Sequence, residues 1–495
     1  METSESLRLL VPLAATLVAP FGIWLARRDE NRREAVSFLA AVVAFLGMLS
    51  LVPGVLQGRV LTLTLFTLLP GVTVKFCADG LTMVFGLLST FLWFWVTSYN
   101  VGYMRSLKEH AQTRYYVCFA VAIFGAVGVA MAANIFTLYL FYEIISVFTY
   151  PLVAHHQDEE AWSGARKYLV YLMGTSKLFF LPAMALTYVL CGTLDFNLTD
   201  IVHGIFPADA NPALVQLTYV LYIAGLAKAA LMPFHNWLPS AMVAPTPVSA
   251  LLHAVAVVKA GVFSVSRVML SGFGVQALHD LGLGIPTAYA AAFTIVAASL
   301  IALTKDDLKA RLAYSTVSQL SYVIIGVAML DPLSVQGGLM HIAHHGFSKI
   351  TLFMGAGAIY VATHTKKISL MGGFGRRMPF TFGAFAIASL SMIGVPPVCG
   401  FVSKWYMVNG AVSNHQTILL GALLASTILN AGYFVPILYR AFFLAPAPGV
   451  DLEHYSEAPK AMVAPLVLTA AISVFLGLYP QTFLNLVKVF GGYPS

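Results

Sequence analysis

Lysine, histidine and glutamate side chains recur inside stretches of the sequence that are otherwise apolar, and these side chains are the ones best suited to chemistry. Lys228 and Lys259 flank a proline-rich segment, and Glu143 is the one acid in its own apolar stretch. A charged side chain near the centre of a bilayer is costly, so such residues normally face a protein interior or a water-filled cavity. Prolines at that depth are tolerated where the freed backbone lines a cavity. The pattern predicts an ion pathway.

Glu143, in LYLFYEIISVFTYPLV, requires a partner if it is to stay ionised, because burial raises the pKa of a carboxyl group and a nearby ammonium lowers it. We expect Lys228 to be that partner. A static ion pair that orders the bundle is the alternative, and the further basic groups along the chain argue against it. Lys177, in YLMGTSKLFF, either extends to the membrane surface or holds Glu143. The sequence does not decide between these two roles.

A second group of titratable residues lies in GGLMHIAHHGFSKITLF. His341, His344, His345 and Lys349 follow i, i+3, i+4 and i+8 spacing, so most of them share one helix face. Histidine titrates near neutral pH and can relay protons. A zinc site is disfavoured, since no acid or thiol lies nearby in the sequence and the lysine repels a divalent cation. Which of His344 and His345 faces the interior is not determined by the spacing.

Three further residues complete the set. Lys404, in GFVSKWYMV, ends the series of buried basic residues. His235, in MPFHNWLP, is expected to brace a helix break. His253 lies one to two turns before Lys259, where it either braces the helix or transfers protons.

The composition indicates a membrane protein. Hydrophobic residues make up 59% of the 495-residue chain and charged residues 10%, whereas soluble domains carry about 25% charged residues. Since one crossing needs about 20 apolar residues, we predict an all-α polytopic membrane protein with about 14 transmembrane helices. The hydrophobic segments lie at approximately 7–26, 35–53, 80–100, 114–132, 134–153, 168–190, 213–233, 248–271, 285–303, 312–330, 335–362, 379–411, 416–443 and 461–480.

Two interrupted helices indicate an internal repeat. Predicted helix seven breaks at Pro233, just after Lys228, and predicted helix twelve breaks at Gly394, Pro396 and Pro397. The breaks are five helices apart, and a unit of five crossings inverts the topology of its second copy. Interruptions at matching places in two halves are typical of a transporter-type inverted repeat. The predicted domains are an N-terminal three-helix segment (1–113), two five-helix half-channel units (114–272 and 273–444) and a C-terminal helix (445–495).

Basic residues concentrate in alternate loops between the predicted helices. One set of loops holds Arg27, Arg28, Arg32, Arg33, Arg105, Lys108, Arg114, Arg166, Lys167, Lys305, Lys309, Arg311, Lys366, Lys367, Arg376, Arg377, Arg440 and Lys460. The opposite set, with the termini, holds Arg8, Arg59, Lys75 and Lys488. Since basic loops mark the cytoplasmic side, both termini are predicted on the non-cytoplasmic side. The net charge of +7 therefore reflects orientation in the membrane and does not indicate nucleic-acid binding.

Cofactor chemistry is not indicated. Cys77, Cys118, Cys191 and Cys399 are far apart and form no CxxC pair, so they suggest neither a disulfide framework nor an iron–sulfur site. No phosphate loop, dinucleotide fingerprint or haem motif occurs. We therefore predict no cofactor and no metal site in this chain. Whether the chain belongs to a redox-driven enzyme stays open.

Around the buried glutamate, lysine and histidine residues described above, the sequence resembles the antiporter-like membrane subunits shared by respiratory complex I, membrane-bound nickel–iron hydrogenases and Mrp-type multi-subunit cation/proton antiporters. The most specific stretch is KAALMPFHNWLPSAMVAPTPVSALLHAVAVVKAG, supported by DDLKARLAYSTVSQLSY, HIAHHGFSKITLF and GVPPVCGFVSKW. The resemblance extends from FCADGLTMVFGLL to the last predicted helix. It is closest to the D-like antiporter subunit, because the chain is expected to lack the long lateral helix of the largest complex I member.

The resemblance implies two inverted half-channels joined by a central polar axis. The residues that match the family's proton-transfer positions, and that form this polar axis, are Glu143 in helix five, Lys228 in helix seven, Lys259 in helix eight, His341 and His345 (or His344) in helix eleven, and Lys404 in helix twelve. Lys177 matches no position in the family pattern.

The implied function is that of a proton-translocating subunit of a multi-subunit cation/proton antiporter in a bacterial inner (plasma) membrane. Its implied partners are other membrane subunits, and its ions are protons, with sodium carried through a partner. The alternative is a proton-pumping subunit of a complex I-like or membrane-bound hydrogenase redox complex. A third interpretation is a structural subunit whose polar axis is idle. The sequence does not separate the first two, because the driving partner is another polypeptide.

Overall fold

The computed structural model describes residues 2–448 and 452–491, and helices dominate it. The predicted C-terminal segment 445–495 is thus described except for 449–451 and 492–495, and the predicted N-terminal segment except for Met1. The long helices are α1 (Leu10–Leu25), α2 (Glu30–Leu49), α3 (Gly80–Ser106), α4 (Gln112–Ala130), α5 (Ile135–Val153), α6 (Glu159–Cys191), α7 (Pro212–Gly225), α8 (Thr246–Phe273), α9 (Gly284–Thr304), α10 (Leu308–Ala328), α11 (Pro332–Thr363), α12 in two segments (Pro379–Ile393 and Cys399–Ser413), α13 (Thr417–Phe443) and α14 (Lys460–Leu478). The shorter α15 (Gln481–Lys488) follows.

The helices have the length and composition of membrane spans. Within the described residues, ten helices are long and apolar enough to cross a bilayer, and Pro212–Gly225 and Pro379–Ile393 are shorter apolar helices. A crossing of about 30 Å requires about 20 residues at about 1.5 Å per residue. The chain is an integral membrane protein of helical type, as its composition predicted.

The centre of the bundle is formed by α8 and α11. Every residue in the most apolar 18-residue stretch of α8 is buried, compared with 28% of the corresponding stretch of α6. Outer helices expose large apolar side chains instead, among them Phe21, Phe293 and Ile428. Lipid tails are as apolar as these side chains, so an apolar outer surface is stable in a bilayer. The polar interior therefore lies around α8 and α11.

The first chain interruption contains Lys228. α7 ends at Gly225, and Lys228 lies in a 3₁₀ turn at Ala227–Ala229. The prediction that this helix continues to Pro233 is therefore wrong: the break begins just after Gly225, before the lysine, and Pro233 lies further along it. Gly261 of α8 packs on the backbone of the turn, and a Cβ at Gly261 would lie 2.3 Å from the carbonyl carbon of Lys228. Only glycine allows α8 to approach the turn so closely.

The second interruption separates the two segments of α12. Gly394, Pro396 and Pro397 lie in the gap between them. Gly394 has a φ of +95°, a left-handed conformation that favours glycine. A Cβ at Gly394 would also lie 2.9 Å from Cδ of Lys404. The break thus brings the aliphatic part of a lysine side chain directly against the backbone.

Three π-helical segments interrupt α6 and α8. They lie at Ser176–Phe180 in α6 and at Leu252–Ala256 and Val268–Phe273 in α8. A π segment inserts a residue into the helix and frees a backbone carbonyl from its usual i→i−4 bond, and such segments are frequent at functional sites. Lys177 lies within the first segment, and Lys259 follows the second by less than one turn.

A small three-stranded sheet accompanies the helices, which the all-α prediction did not include. The strands are β1 (Glu2–Glu5), parallel to β2 (Arg59–Leu69), which pairs antiparallel with β3 (Val72–Ala78). In β3, Val72, Val74 and Phe76 are buried, while the residues between them are partly exposed. This alternation is a strand signal, and a search for long apolar runs overlooks it.

A buried ion pair joins α8 to the start of α3. Arg267 donates hydrogen bonds to both carboxylate oxygens of Asp79, at 2.5 and 2.8 Å, and to the Thr82 hydroxyl at 3.1 Å. Both charged side chains are fully buried. Asp79 also caps α3 by accepting a hydrogen bond from the backbone N–H of Thr82 at 2.9 Å. The pair therefore fixes the packing of α3 against α8.

Replacing Arg267 with leucine is expected to destabilise the protein by about 3–5 kcal/mol, because Asp79 then remains buried without a partner. The double variant Asp79→Asn/Arg267→Leu should recover most of that loss, since no uncompensated charge is left. The measurement is thermal unfolding of the purified complex, followed by tryptophan fluorescence. Lys75→Met is the control: its pair with Asp195 is partly exposed and worth about 1 kcal/mol or less. Equal destabilisation by Arg267→Leu and Lys75→Met would contradict the assignment.

Candidate functional site

One end of the candidate site is an ion pair between α5 and α6. The carboxylate of Glu143 accepts a hydrogen bond from Lys177 Nζ at 2.7 Å, and the same ammonium donates to the Tyr139 hydroxyl at 2.7 Å. The prediction that Lys228 pairs with Glu143 is therefore wrong for this conformation, and Lys177 is the partner. The Lys177 side chain is 46% exposed and the Glu143 side chain 14%. The pair thus lies at the outer surface of the chain.

Lys228 is fully buried and bonded to neutral oxygens. Its ammonium donates to the backbone carbonyl of Tyr142 at 2.8 Å and to the hydroxyl of Ser146 at 2.6 Å. The Tyr142 ring centroid lies 3.2 Å from Nζ, a cation–π contact. Tyr142 and Ser146 belong to the same helix as Glu143, so the ammonium and the carboxylate are neighbours along α5 without bonding each other. Lys228 reaches these groups from the 3₁₀ turn at Ala227–Ala229, whose backbone is also held to α5 because Lys228 N–H donates to the Tyr142 hydroxyl at 3.0 Å.

The centre of the site is a direct contact between α8 and α11. Lys259 Nζ lies 2.5 Å from His345 Nδ1 and donates to the Ala254 carbonyl at 2.7 Å. That carbonyl belongs to the π segment of α8, which frees it from the helix ladder. The rings of His341 and His345 are stacked 5.7 Å apart with an interplanar angle of 6°. His345, and not His344, is therefore the histidine that faces Lys259.

His341 connects the titratable residues of α11 to α10 and α12. Its Nδ1 lies 2.8 Å from the Ser403 hydroxyl and its Nε2 3.0 Å from the Gln319 amide oxygen. Because an amide oxygen only accepts, Nε2 carries the proton in this arrangement, and Nδ1 accepts from Ser403. The Tyr322 ring is 5.5 Å from the His341 ring. A neutral histidine with both nitrogens bonded can accept a proton at Nδ1 and release the proton that Nε2 carries.

Lys404 is bound at the end of a half-helix. Its ammonium donates to the carbonyls of Met392 and Ile393, at 2.6 and 3.2 Å, and lies 4.7 Å from the Tyr322 ring centroid. These carbonyls end the first segment of α12, where the partial negative charge of the helix dipole stabilises a cation. Lys228 and Lys404 thus both lie beside a chain interruption, but only Lys404 is bound by carbonyls at a helix end, whereas Lys228 is bound by Tyr142 and Ser146 of α5.

A polar branch connects Lys349 to Lys404. Lys349 Nζ donates to the Ser315 hydroxyl at 2.8 Å, and the Ser315 and Tyr433 hydroxyl oxygens are hydrogen bonded at 3.1 Å. The Tyr433 hydroxyl is also hydrogen bonded to the side-chain oxygen of Asn430. The Asn430 amide donates to the Met392 carbonyl at 3.1 Å, the carbonyl that also binds Lys404. Lys349 is thus tied to the second half of the site through hydroxyl and amide groups.

The comparisons with known proteins identify the family. The family described as "NADH:quinone oxidoreductase/Mrp antiporter, TM" matches residues 132–430. The chain belongs to this family. The matched range extends from just before α5 into α13 and includes each residue of the polar axis.

Curated relatives in the family carry two kinds of name. The chain is 32% identical to "NADH-quinone oxidoreductase subunit N" of Desulforudis audaxviator over 405 residues, which cover 78% of each chain. It is also 32% identical to "NADH-quinone oxidoreductase subunit L" of Mycobacterium tuberculosis, over 94% of this chain and 73% of that one. A relative from Rhizobium meliloti that is named as a probable K⁺/H⁺ antiporter component is 31% identical over 96% of this chain, which spans 47% of that relative.

Solved structures have the same fold. A chain of the Mrp complex from Dietzia sp. superposes with a TM-score of 0.86 at 21% identity, covering 97% of this chain and 96% of that one. A chain of the membrane-bound sulfane sulfur reductase, described as an archaeal respiratory membrane complex, gives 0.85 at 25% identity, covering 98% and 96%. The helical fold of this chain is therefore shared with these two membrane subunits over nearly its whole length.

Three other histidines of this antiporter-family chain lie beside the polar axis. His253 is buried near Tyr168 and Trp237, and neither of its ring nitrogens has a hydrogen-bond partner among the described residues. The ring nitrogens of His344 likewise lack a partner within residues 2–448 and 452–491, and its ring faces Phe483. His235 lies in the first chain interruption, 6.4 Å from the Tyr314 ring. None of the three touches the Lys259–His345 contact.

Sequence reasoning missed the neutral groups that hold the lysines. Ser146 follows Glu143 by three positions on α5, so both lie on one helix face. Asn430 and Tyr433 have the same spacing on α13. Polar residues at this spacing in a membrane helix were the available signal, since hydroxyl and amide groups at that depth require a partner.

Proposed function

We propose that this chain is a proton-translocating subunit of a multi-subunit cation/proton antiporter. The observation that carries the proposal is the 2.5 Å contact between Lys259 Nζ and His345 Nδ1, with both side chains fully buried. Two groups that each bind and release protons share one hydrogen bond at the centre of the bundle. A structural role alone would favour apolar side chains there, because buried charges are costly unless paired.

The proposed architecture has fourteen crossings and two inverted five-helix units, residues 114–272 and 273–444. The N-terminal unit is 1–113 and the C-terminal unit 445–495. Interrupted helices at α7 and α12, five positions apart, support the repeat. α10 and α11, with 21 and 32 residues, are not among the ten helices that are long and apolar enough to span, and we count them as two further crossings. Their polar residues, Gln319, His341, His345 and Lys349 among them, face the bundle interior.

The proposed mechanism begins at Glu143. When Lys177 holds this carboxylate, Lys228 keeps its proton through the Tyr142 carbonyl and the Ser146 hydroxyl. A partner event that separates Glu143 from Lys177 turns the carboxylate toward Lys228 and changes how firmly the amine holds its proton. Making or breaking a buried ion pair changes free energies by about 3–5 kcal/mol, which is comparable with the about 2.3 kcal/mol needed to move one charge against 100 mV.

The proton then moves along the rest of the polar axis. Water bridges the gap from Lys228 to Lys259, where no direct hydrogen bond joins the two amines. From Lys259 the proton passes to His345, across the stacked pair to His341, and on to Lys404. Lys349 is a second proton store on the branch through Ser315 and Tyr433. His235 and His253 support the interruption and α8.

The proposed location is a bacterial inner (plasma) membrane with both termini on the non-cytoplasmic side. The concentration of arginine and lysine in alternate loops supports this orientation. The proposed partners are other membrane subunits, with sodium moving through a partner. The exposed Glu143–Lys177 pair supports such a partner: an ion pair at membrane depth that faced lipid would be costly, so a neighbouring subunit is expected to cover it.

A redox-driven complex is the second candidate. It is favoured by the relatives named as NADH-quinone oxidoreductase subunits and by the likeness to the sulfane sulfur reductase. The same chain would then move protons while quinone or hydrogen chemistry in another subunit supplies the energy. A structural subunit with an idle polar axis is the third candidate.

The test is proton movement in inverted membrane vesicles that contain the whole native complex, followed with a pH-sensitive dye. Adding Na⁺ or K⁺ after a proton gradient is imposed should release protons, because the proposal couples the two fluxes. Adding an electron donor and a quinone without a cation gradient should produce no flux. Vesicles from cells that lack this chain are the control. Proton flux driven only by the electron donor would establish the redox alternative. No flux under either condition would mean that the chain is a structural subunit with an idle polar axis.

A further inference from the structure

Two loops on the arginine- and lysine-rich face bring together a cluster of histidines and one acid. Glu109 and His110 lie in the loop between α3 and α4, and His155 and His156 lie in the loop between α5 and α6. The ligand atoms of Glu109, His110 and His155 all lie within 4.8 Å of one another. The whole of α4 and α5 separates the two loops in sequence, and neither loop contains a residue of the polar axis. Only the tertiary structure assembles the cluster.

The distances in the cluster suit metal ligands better than they suit hydrogen bonds. His155 Nε2 lies 3.4 Å from one oxygen of Glu109, and His156 Nε2 lies 3.3 Å from the other. A charge-assisted hydrogen bond is normally about 2.7–2.9 Å. Ligands placed about 2.0–2.1 Å from a tetrahedral zinc ion are separated by about 3.3–3.4 Å. The cluster therefore has the spacing of a ligand set that surrounds an ion.

The unpartnered imidazole of His155 is the feature of the cluster that calls for a ligand. Its side chain is fully buried, and neither ring nitrogen makes a hydrogen bond to any described residue. The nearby Arg114 donates to the backbone carbonyl of His155 and not to the Glu109 carboxylate.

We propose that Glu109, His110 and His155 form a binding site for a divalent transition-metal ion of the zinc type, with His156, which lies 3.3 Å from the second oxygen of Glu109, as its fourth ligand. Imidazole nitrogens with one carboxylate oxygen are a preferred ligand set for such an ion. The ionised carboxylate has no lysine or arginine partner among the described residues, so its charge is available to the cation. No residue of the polar axis is involved, and the site stands independently of the proposed function.

The bound ion joins two loops at the edge of a cavity. Glu109 and His156 line a cavity of about 590 Å³ together with Lys309 and His364, on the same face of the bundle. Coordination would hold the α3–α4 loop to the α5–α6 loop and so fix one side of the cavity opening. The ion therefore stabilises the first half of the bundle at this face.

The test is zinc binding by the purified native complex after treatment with a chelator. Titration with Zn²⁺ against a chromophoric chelator should reveal one more bound ion per copy of this chain in the wild type than in Glu109→Gln. Co²⁺ in place of Zn²⁺ should give the intense visible absorption of a tetrahedral site. Loss of a ligand should weaken binding by at least about 100-fold, since loss of an outer-shell partner alone costs about 10–100-fold.

His110→Ala and His156→Ala are the decisive variants, because both side chains are on the surface and their loss does not disturb folding. His279→Ala is the matched control: His279 lies 3.4 Å from Asp280, an exposed histidine–carboxylate pair without further ligands. The control should bind as many ions as the wild type. Equal binding by the wild type, His110→Ala and His156→Ala, or no tetrahedral Co²⁺ spectrum in the wild type, overturns the proposal.

Discussion

Replacing Lys228 with methionine is expected to reduce proton movement through the assembled complex by about 70- to 400-fold. Methionine fills a similar volume but carries no proton, so a proton would cross this level of the membrane as an isolated charge. That costs about 2.5–3.5 kcal/mol, and about 1.36 kcal/mol corresponds to a tenfold change in rate. The hydroxyl of Ser146 and the carbonyl of Tyr142 remain, but neither can hold an excess proton. The measurement is the initial rate of dye response in inverted vesicles.

The control for this variant is Lys488→Met. Lys488 is exposed at the end of α15, so its replacement removes the same charge without touching the polar axis. Its flux should equal that of the wild type. Native gel electrophoresis establishes that each variant assembles. An assembled Lys228→Met complex with wild-type flux would show that Lys228 is a structural residue and that protons move elsewhere.

Replacing Lys259 with arginine is expected to abolish proton transfer between the two halves while keeping the positive charge. Arginine retains its proton at every accessible pH, so it can donate a hydrogen bond to His345 but cannot pass a proton on. If the charge of Lys259 served only to order the histidines, arginine would substitute for it. The expected loss is at least about tenfold in flux, because about 1.4 kcal/mol of added barrier is enough for that change.

Lys75→Arg is the matched substitution outside the site. Lys75 pairs with Asp195 at 2.8 Å at the edge of the sheet, where arginine can form the same pair. Its flux should be unchanged. The companion variant His345→Gln removes the titratable ring and retains a polar side chain, so it should lose flux to the same extent as Lys259→Arg. Wild-type flux in both Lys259→Arg and His345→Gln would exclude proton exchange at this contact.

The membrane fold was predictable because it depends on local sequence. Apolar runs of sufficient length must form helices in a bilayer, since every backbone group there needs an internal hydrogen bond. The predicted segments accordingly coincide with α1–α14 to within a few residues in most cases. The small sheet was missed because a search for long apolar runs overlooks the alternation of buried and partly exposed residues in β3. The start of the first interruption was misplaced because proline is a visible helix breaker, whereas the end of α7 at Gly225 depends on the close approach of α8.

The partner of Glu143 could not be predicted from the sequence. Lys177 and Lys228 are both lysines on neighbouring helices, and only their positions in three dimensions distinguish them. The π segment of α6 turns Lys177 toward the carboxylate, and the 3₁₀ turn directs Lys228 to the other side of Tyr142. The choice between His344 and His345 was open for the same reason, because adjacent residues of a helix point about 100° apart and the rotation of α11 is set by packing.

The sequence by itself determined the membrane environment and the types of residue placed inside the apolar segments, because hydropathy and side-chain chemistry are properties of each position. The tertiary structure decided which of those groups meet. In the folded chain Lys259 contacts His345, and Glu143 pairs with Lys177. Lys349 is connected to Lys404 through Tyr433 and Asn430. Glu109 lies beside His155. Each of these contacts joins residues from different helices or loops. Hydrogen bonds and ion pairs act over only about 3 Å, so the packing of whole helices determines them.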